Sequence, residues 1–342
     1  MIITTIEELR LHSPAHALDS IDGIMGFIDN SEHDFLEEKL GTPLYERLCK
    51  YYEDSQSESS EEEESKVYQT LLTIAQRCVA FDALGRAIGM QVVSVNNAGV
   101  NQMIADDYPA PDKNGKTIEM YRQTCNQEAH AALNRLLRQL ELWCNTDDED
   151  KDREEIVELW EKSAYYYLST SLLIPSCEIL QRYLNIYDSR EKFIQLLPDL
   201  QFIQEEQITP SVGEALMTAL ITFAVKGDLP EGVEEALFNT VLHRLRKVMV
   251  ALLAGRTSVL KYSKEQKVQF HDDGVRMFET AINYLRSHQA EFPEELVKDA
   301  PWYVKEEPTP TPPPTPQGDT PCSGGFVKEH SSGAALWTPP LL

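Results

Sequence analysis

Three short clusters of polar residues carry side chains that could bind a metal ion. His12 and His16 are spaced as on one turn of a helix, but Pro14 lies between them, so we expect them to share no helix face. Residues 271–273, His-Asp-Asp, are adjacent and would point in different directions on a helix, as in a solvated first turn. Residues 112–115, Asp-Lys-Asn-Gly, resemble a calcium loop, but the glycine comes too early and the spaced ligands are missing, which favours a plain turn. We therefore predict no metal site.

The sequence lacks the common catalytic motifs. It contains no glycine-rich phosphate loop, no HExxH and no GxSxG pattern. The six cysteines stand singly, without a CxxC pair, and suit a reducing compartment; Cys78 and Cys177 lie in apolar stretches and are predicted to be core residues. These observations predict a protein that is not an enzyme and has no catalytic residue and no cofactor. An unrecognised site among the 56 acidic residues is the alternative.

The chain is strongly acidic, with 56 acidic and 31 basic residues and a net charge of −25. Such a surface repels nucleic-acid phosphates and anionic lipids, so we predict no sequence-specific nucleic acid and no membrane among its partners. The N-terminus lacks the basic and apolar regions of a signal peptide, and the longest strongly apolar stretch, 248–254, is far too short to span a bilayer. The expected location is the host cytoplasm or a virion.

Apolar residues recur every three to four positions along most of the chain, which predicts an all-α fold. We expect two helical bundles, 1–145 and 150–290, the first with a flexible acidic loop at 53–65 and the two separated by an acidic stretch at 145–155. A proline-rich tail, 307–342, is predicted to be disordered. The predicted helices are 20–40, a short helix around 44–48, 67–90, 116–143, 156–168, 190–207, 230–254 and 264–288.

Several residues predict where helices begin and end. Gly41 is expected to stop the first long helix, and Thr42-Pro43 is expected to start the next one, with Thr42 as the N-cap. Thr209-Pro210 is a similar restart. Ser189 is the expected N-cap of the helix from Arg190.

Residues 91–102, QVVSVNNAGVNQ, combine β-branched residues with the turn-prone Asn-Asn-Ala-Gly and predict a short β-hairpin. This hairpin could add a strand to a neighbouring subunit; packing on its own bundle is the alternative. The candidate subunit contacts are Val92, Val93, Val95, Asn97 and Val100.

The two halves show weak internal similarity. Residues 70–87 align without a gap on residues 240–257, with four of 18 positions identical, including a Gly-Arg pair in each. Both halves also contain a Thr-Pro between helices, at Pro43 and Pro210, and residues 132–136 resemble residues 281–285. These matches indicate a tandem duplication of one helical module. Chance similarity between amphipathic helices is the alternative.

The order of these features resembles an uncharacterised family of gut anaerobes and their phages and prophages. The likeness covers residues 5–290 and includes the segments EEKLGTPLYERL, VVSVNNAGVNQ, YRQTCNQEAHAALNRLLRQLE and LPEGVEEALFNTVLHRLRKVMVALLAGRTSVL. The first module also resembles the small helical head–tail adaptor proteins of tailed phages, which share an early acidic helix, a glycine and an extended loop. The resemblance implies a ring-forming part in which such a loop contacts a neighbour, with the same chain or portal and tail proteins as partners.

We therefore expect a non-enzymatic structural or assembly protein, such as a head–tail connector or adaptor of a phage or prophage, that forms a homo-oligomer. The alternative is a bacterial cytoplasmic scaffold that binds partners through its acidic loop and proline-rich tail. Deletion of 307–342 should abolish partner binding under the scaffold hypothesis, and a partner that stays bound would show that the tail is not the contact.

Overall fold

The computed structural model describes residues 1–13, 18–56, 65–91, 93–96, 99–102, 116–146 and 150–305, with the backbone alone described between residues 89 and 102. The fold is helical with one β-hairpin, as predicted. Its α-helices are α1 Ile6–His12, α2 Met25–Asn30, α3 Glu38–Leu40, α4 Thr42–Gln56, α5 Lys66–Gln91, α6 Lys116–Cys144, α7 Lys151–Trp160, α8 Ala164–Thr170, α9 Cys177–Gln181, α10 Arg190–Phe202, α11 Thr209–Val212, α12 Glu214–Lys226, α13 Glu235–Arg256, α14 Lys264–Ser287 and α15 Glu294–Val297.

Three further helical turns join these helices. π-helical turns at Ser31–Glu37 and Ile203–Ile208 connect α2 to α3 and α10 to α11, and a 3₁₀ turn spans Gln289–Glu291. Strands β1 Val93–Asn96 and β2 Gly99–Gln102 pair antiparallel, with Val93 opposite Gln102 and Asn96 opposite Gly99. Met1–Val304 forms one compact unit. The predicted tail and the centre of the acidic loop, 57–64, lie outside the described residues.

The structure corrects several predicted helix limits. The helices predicted from 20 and 230 begin instead at Met25 and Glu235. The helix predicted at 156–168 is two helices, because Ser163 caps a new helix, its hydroxyl accepting the N–H of Tyr166. The acidic stretch predicted to separate the bundles is partly helical, since α7 begins at Lys151.

Gly41 ends the first helical segment as predicted, but the N-cap at Thr42 and the restart at Thr209-Pro210 were predicted wrongly. Thr42 is already inside α4, and its hydroxyl donates to Glu37 Oε1 at 2.7 Å instead of capping the helix. Thr209 continues the helix that precedes it, and its hydroxyl donates to the carbonyl of Gln204. The chain breaks at Gly41 and at Gly213, each of which ends one helix and accepts the first hydrogen bond of the next.

The two glycines occupy the same place in two copies of one module, copy 1 (residues 1–165) and copy 2 (residues 172–302). Gly41 has φ and ψ of 82° and 144°, and Gly213 has 99° and 137°. When the sequences are aligned so that Gly41 matches Gly213, residues 24–48 match residues 196–220 without a gap. Besides the two glycines, six buried apolar pairs follow, all at most 1% exposed: Ile24 and Leu196, Ile28 and Leu200, Leu36 and Ile208, Leu40 and Val212, Leu44 and Leu216, Leu48 and Leu220.

In copy 1, the N-terminal segment is held by hydrogen bonds to the backbone of Ile2. Its N–H donates to Glu32 Oε1 in the first π turn at 2.9 Å. Its carbonyl accepts from Gln76 Nε2 on α5 at 2.8 Å. Glu32 is fully buried and also accepts the hydroxyl of Tyr45 at 2.6 Å.

Copy 2 repeats this arrangement at the backbone of Leu173. Its N–H donates to Gln204 Oε1 in the second π turn at 2.8 Å, and its carbonyl accepts from Arg246 Nε on α13 at 2.7 Å. Two polar residues of copy 1, Glu32 and Gln76, are thus matched by different residues, Gln204 and Arg246, that make the same contacts. The same contacts, made by elements in the same order, indicate a repeated module more strongly than sequence identity alone does.

Aromatic contacts also recur, with coordinated replacements. Tyr51 stacks on Tyr68 at 5.1 Å between ring centroids, and the matching residues, Phe223 and Phe238, pack at 5.6 Å. Tyr68 also donates its hydroxyl to Glu155 at 2.8 Å, whereas Phe238 packs against Phe292. Both members of the polar contact in copy 1, Tyr68 and Glu155, therefore correspond to apolar residues in copy 2, Phe238 and Phe292.

Two of the sequence matches between the halves are in the wrong register. The Thr-Pro pairs do not correspond, because Gly213 follows one of them and Gly41 precedes the other. The register of the last long helix in each copy is set by a glycine of the helix before it. Gly85 of α5 approaches Asn126 of α6, and Gly255 of α13 approaches His271 of α14. This pairing places Leu140 opposite Leu285, one helical turn away from the sequence match of 132–136 with 281–285.

Candidate interaction surface

The two copies meet at Arg190, the first residue of α10, whose side chain is fully buried. Its guanidinium donates to Glu141 Oε2 on α6 from Nε at 2.9 Å and from Nη2 at 2.6 Å. Its backbone N–H donates to Asn134 Oδ1 at 2.9 Å. Tyr165, in the first turn of α8, places its hydroxyl 3.5 Å from the other oxygen of Glu141. We call Asn134, Leu137, Glu141 and Tyr165 the socket of copy 1, and Arg190 fills it.

Local sequence explains why Arg190 points into this socket. Ser189 caps α10 by accepting the N–H of Lys192, which leaves the N–H of Arg190 free to bond outside its helix. The two residues before the cap, Tyr187 and Asp188, have φ of 61° and 50°, in the left-handed region. Gln181 Oε1 stabilises this turn by accepting the N–H groups of Ile186 and Asp188, at 2.9 and 3.1 Å.

The electrostatics of the socket suit holding two elements together. Burial raises the pKa of Glu141, and the charge and hydrogen bonds of Arg190 oppose that rise. Burial disfavours the charged form of Arg190, but the hydrogen bonds and charge of Glu141 outweigh it and raise the pKa of Arg190. Burial also raises the pKa of the nearby Cys177 thiol to about 12, so the thiol is protonated at neutral pH and is a poor nucleophile.

The residues singled out as metal-binding candidates are not brought together. His12 is half-buried, and burial lowers its pKa; His16 and residues 112–115 lie outside the described residues. Residues 271–273 lie inside α14 and not in its first turn, and Asp273 contacts Arg276 there. Among the described residues, no three His, Cys, Asp or Glu side chains are grouped so that they could hold a metal ion.

The predicted core cysteines and the hairpin are confirmed. Cys78 and Cys177 are fully buried, and the described cysteines are free thiols. The hairpin lies between α5 and α6 in copy 1, whereas in copy 2 residues 257–263 connect α13 to α14. The backbones of Val93, Val95 and Val100 lie in its strands. Val92 and Asn97 lie outside the described residues, so a contact of this hairpin with another subunit stays a prediction.

Sequence reasoning missed the socket. The N-cap at Ser189 was predicted, but the fully buried position of the arginine that follows it was not. Its partners Asn134 and Glu141 are separated from it by α7, α8 and α9, and no local pattern links them.

The described part of the chain has no helix with both the length and the apolar character required to cross a bilayer. Residues 36–148 match the model of a family of unknown function, DUF6712. The match begins in the first π turn, extends beyond α6 and lies within copy 1, which confirms the predicted resemblance to an uncharacterised family over this range. No curated protein and no solved structure matches the chain.

Proposed function

We propose that this protein is a non-enzymatic structural protein that assembles with further copies of itself, as a phage or prophage virion component such as a head–tail connector or adaptor. The observation that carries the proposal is the interface inside the chain, where the socket of copy 1 receives the first turn of α10 from copy 2. A module that binds another copy of itself within one chain has a surface suited to binding copies in other chains.

Exposed apolar side chains on α14 support an assembly role. Val268, Val275 and Met277 are 61%, 42% and 45% exposed on a helix whose main packing partner is α13. The net charge of −25 agrees with a part through which DNA passes, because an acidic wall repels the duplex and does not hold it.

The test is the mass of the purified protein by light scattering over a range of concentrations, followed by electron microscopy of the particles. We expect a defined oligomer or assembly on a portal ring, encoded by a gene that lies among capsid and portal genes. A monomer at high concentration, together with a gene neighbourhood without virion genes, would contradict the proposal.

The hairpin offers a separate variant for this test. Replacing residues 87–118 with residues 257–263 gives copy 1 the short connection of copy 2, and copy 2 shows that the module can be built with it. If the hairpin is an inter-subunit arm, this variant unfolds at an unchanged temperature but forms smaller or weaker oligomers. An unchanged oligomer would assign the hairpin no part in subunit contact.

A further inference from the structure

Copy 2 has a socket that matches the socket of copy 1, but it is open. The register set by the two glycine contacts between the long helices places Asn134, Leu137 and Glu141 opposite Glu279, Ile282 and Arg286 of α14. Tyr165 corresponds to Trp302, since the turns that contact Gly41 and Gly213 both lie just before them. These four residues of copy 2, with Phe278 and others, line one open pocket of about 410 Å³.

The socket of copy 1 on α6 is more buried than the socket of copy 2 on α14, because more helices pack against α6. In copy 1, α6 packs against α5, α7 and α10, and Leu137 is fully buried. In copy 2, α14 packs mainly against α13, so the matching Ile282 is only half-buried and Arg286 is exposed. Within copy 2, no described element follows that could take the place of α10, because the described chain ends at Lys305.

Copy 1 carries the segment that matches the first turn of α10. The gap-free match of residues 24–48 with residues 196–220, continued toward the N-terminus, places Leu18 at the position of Arg190 and Asp19 at that of Glu191. Leu18 is half-buried and Asp19 is exposed. Arg10 donates to the carbonyl of Leu18, and in copy 2 Gln181 supports the turn before Arg190 by accepting backbone N–H groups. The segment is therefore held by its own module and faces solvent on one side.

We propose that the open socket of copy 2 receives the segment around Leu18 from copy 1 of a second molecule. The contact reproduces between chains the one that joins the two copies within a chain, and it deepens the assembly role proposed above by naming the surface and its partner. The carboxylate of Glu279 accepts the N–H of Leu18, as Asn134 accepts that of Arg190. The side chain of Leu18 packs on Trp302, Ile282 and the aliphatic part of Arg286. Because the two surfaces differ, the association is head-to-tail and closes into a ring or continues as a filament.

The experiment transplants the internal ion pair into this contact. Arg286→Glu places the equivalent of Glu141 in the open socket, and Leu18→Arg places the equivalent of Arg190 on the incoming segment. Each single variant should weaken self-association about tenfold or more. Arg286→Glu alone leaves an unpaired carboxylate at the contact, and Leu18→Arg alone leaves two arginines facing each other. A mixture of the two variants should associate again, since each variant supplies the half that the other lacks. Sedimentation equilibrium measures the dissociation constants.

Arg276→Glu is the matched control, with the same charge change at an exposed position on the same helix. It should leave the dissociation constant unchanged. Circular dichroism checks that each variant is folded, and recovery in the mixture shows that both single variants retain their other surface.

Each other outcome overturns the inference in a distinguishable way. A wild-type oligomer that is unaffected by both substitutions would place the subunit interface elsewhere and would leave the assembly role intact. If the wild-type protein and the mixture were both monomeric, the proposed contact and the assembly role would both be rejected. Hydrogen-exchange protection of residues 278–286 that disappears on deletion of 307–342 would show that the chain's own tail, and not a second copy, occupies the socket.

Discussion

At the scale of single residues, the two copies keep their contacts while changing the chemistry that makes them. The Ile2 carbonyl accepts from the amide of Gln76, and the Leu173 carbonyl accepts from the guanidinium of Arg246. Tyr68 and Glu155 form a hydrogen bond where Phe238 and Phe292 pack as rings. Both members of such a contact must change together, because a lone replacement would leave a buried polar group without a partner. Sequence identity is therefore low where contacts are best preserved.

Glu155 gives a prediction about pH at this scale. The hydrogen bond from Arg47 has the largest effect on the pKa of Glu155 and lowers it; burial opposes this, and the hydrogen bond from Tyr68 lowers the pKa further, so it lies below its usual value. A lowered carboxyl pKa adds stability above the unfolded-state pKa, and this contribution is lost as the pH falls through the folded-state value.

We expect Glu155→Gln to lower the free energy of unfolding at pH 7 by about 0.5 kcal/mol, because the carboxylate is 43% exposed and solvent screens the pair. The difference from wild type should stay constant above about pH 5 and vanish as the pH falls further. Urea unfolding at several pH values measures it. A difference that persists at pH 3 would show that the carboxylate charge is not its source.

At the scale of elements, two glycines set the angle at which the helices of each module meet. A Cβ at Gly41 would lie 2.9 Å from Ser163 Cβ and 3.2 Å from its Cα, and a Cβ at Gly213 would lie 3.0 and 3.2 Å from the same atoms of Ala300. Both glycines also have a positive φ, which other residues adopt only at a cost. The turn after α7 in copy 1 and the turn after α15 in copy 2 can pack this closely only on a glycine.

We therefore expect Gly41→Ala to destabilise the protein by about 1–3 kcal/mol, from backbone strain and the contact with Ser163. Gly26→Ala is the control, because Gly26 lies in α2 with nothing within 4 Å of its Cβ position. This control should be neutral or stabilising by up to about 1 kcal/mol. Thermal unfolding of both variants compares them, and equal midpoints would argue against the role of Gly41.

The elements also show what the sequence could predict. Apolar periodicity predicted α5, α6 and α14 almost to the residue, because each buries a long apolar stripe against neighbouring helices. It placed two helix starts too early, at 20 and 230, since apolar side chains in the preceding turns also pack on the core. The π turns were not predicted, because an extra residue in a helical turn leaves no clear pattern of residue types. The socket required knowledge of which distant residues meet.

At the scale of the whole molecule, the ion pair of Arg190 and Glu141 joins the two copies into one compact unit. Removing one member of a buried pair leaves the other charged and poorly solvated, which is costly. The buried arginine is therefore a point at which the link between the copies can be tested without altering either core.

We expect Arg190→Met to destabilise the protein by about 3–5 kcal/mol at pH 7. The loss should shrink as the pH falls, because Glu141, whose pKa burial already raises, then takes up a proton. Adding Glu141→Gln should recover part of the loss at pH 7. Urea unfolding of the single and double variants measures both effects. If the double variant were no more stable than the single one, an uncompensated carboxylate would not be the cause.

Among the residues that the structure describes, the hairpin occurs once, in copy 1, whereas the helical module occurs twice. If chains close head-to-tail into a ring, the helical wall repeats twice as often around the axis as the hairpins do. Rotational averaging of particle images would then show one periodicity for the wall and half that number for the protruding features. A partner ring could match either count, which would allow one circular assembly to meet neighbours of two different symmetries.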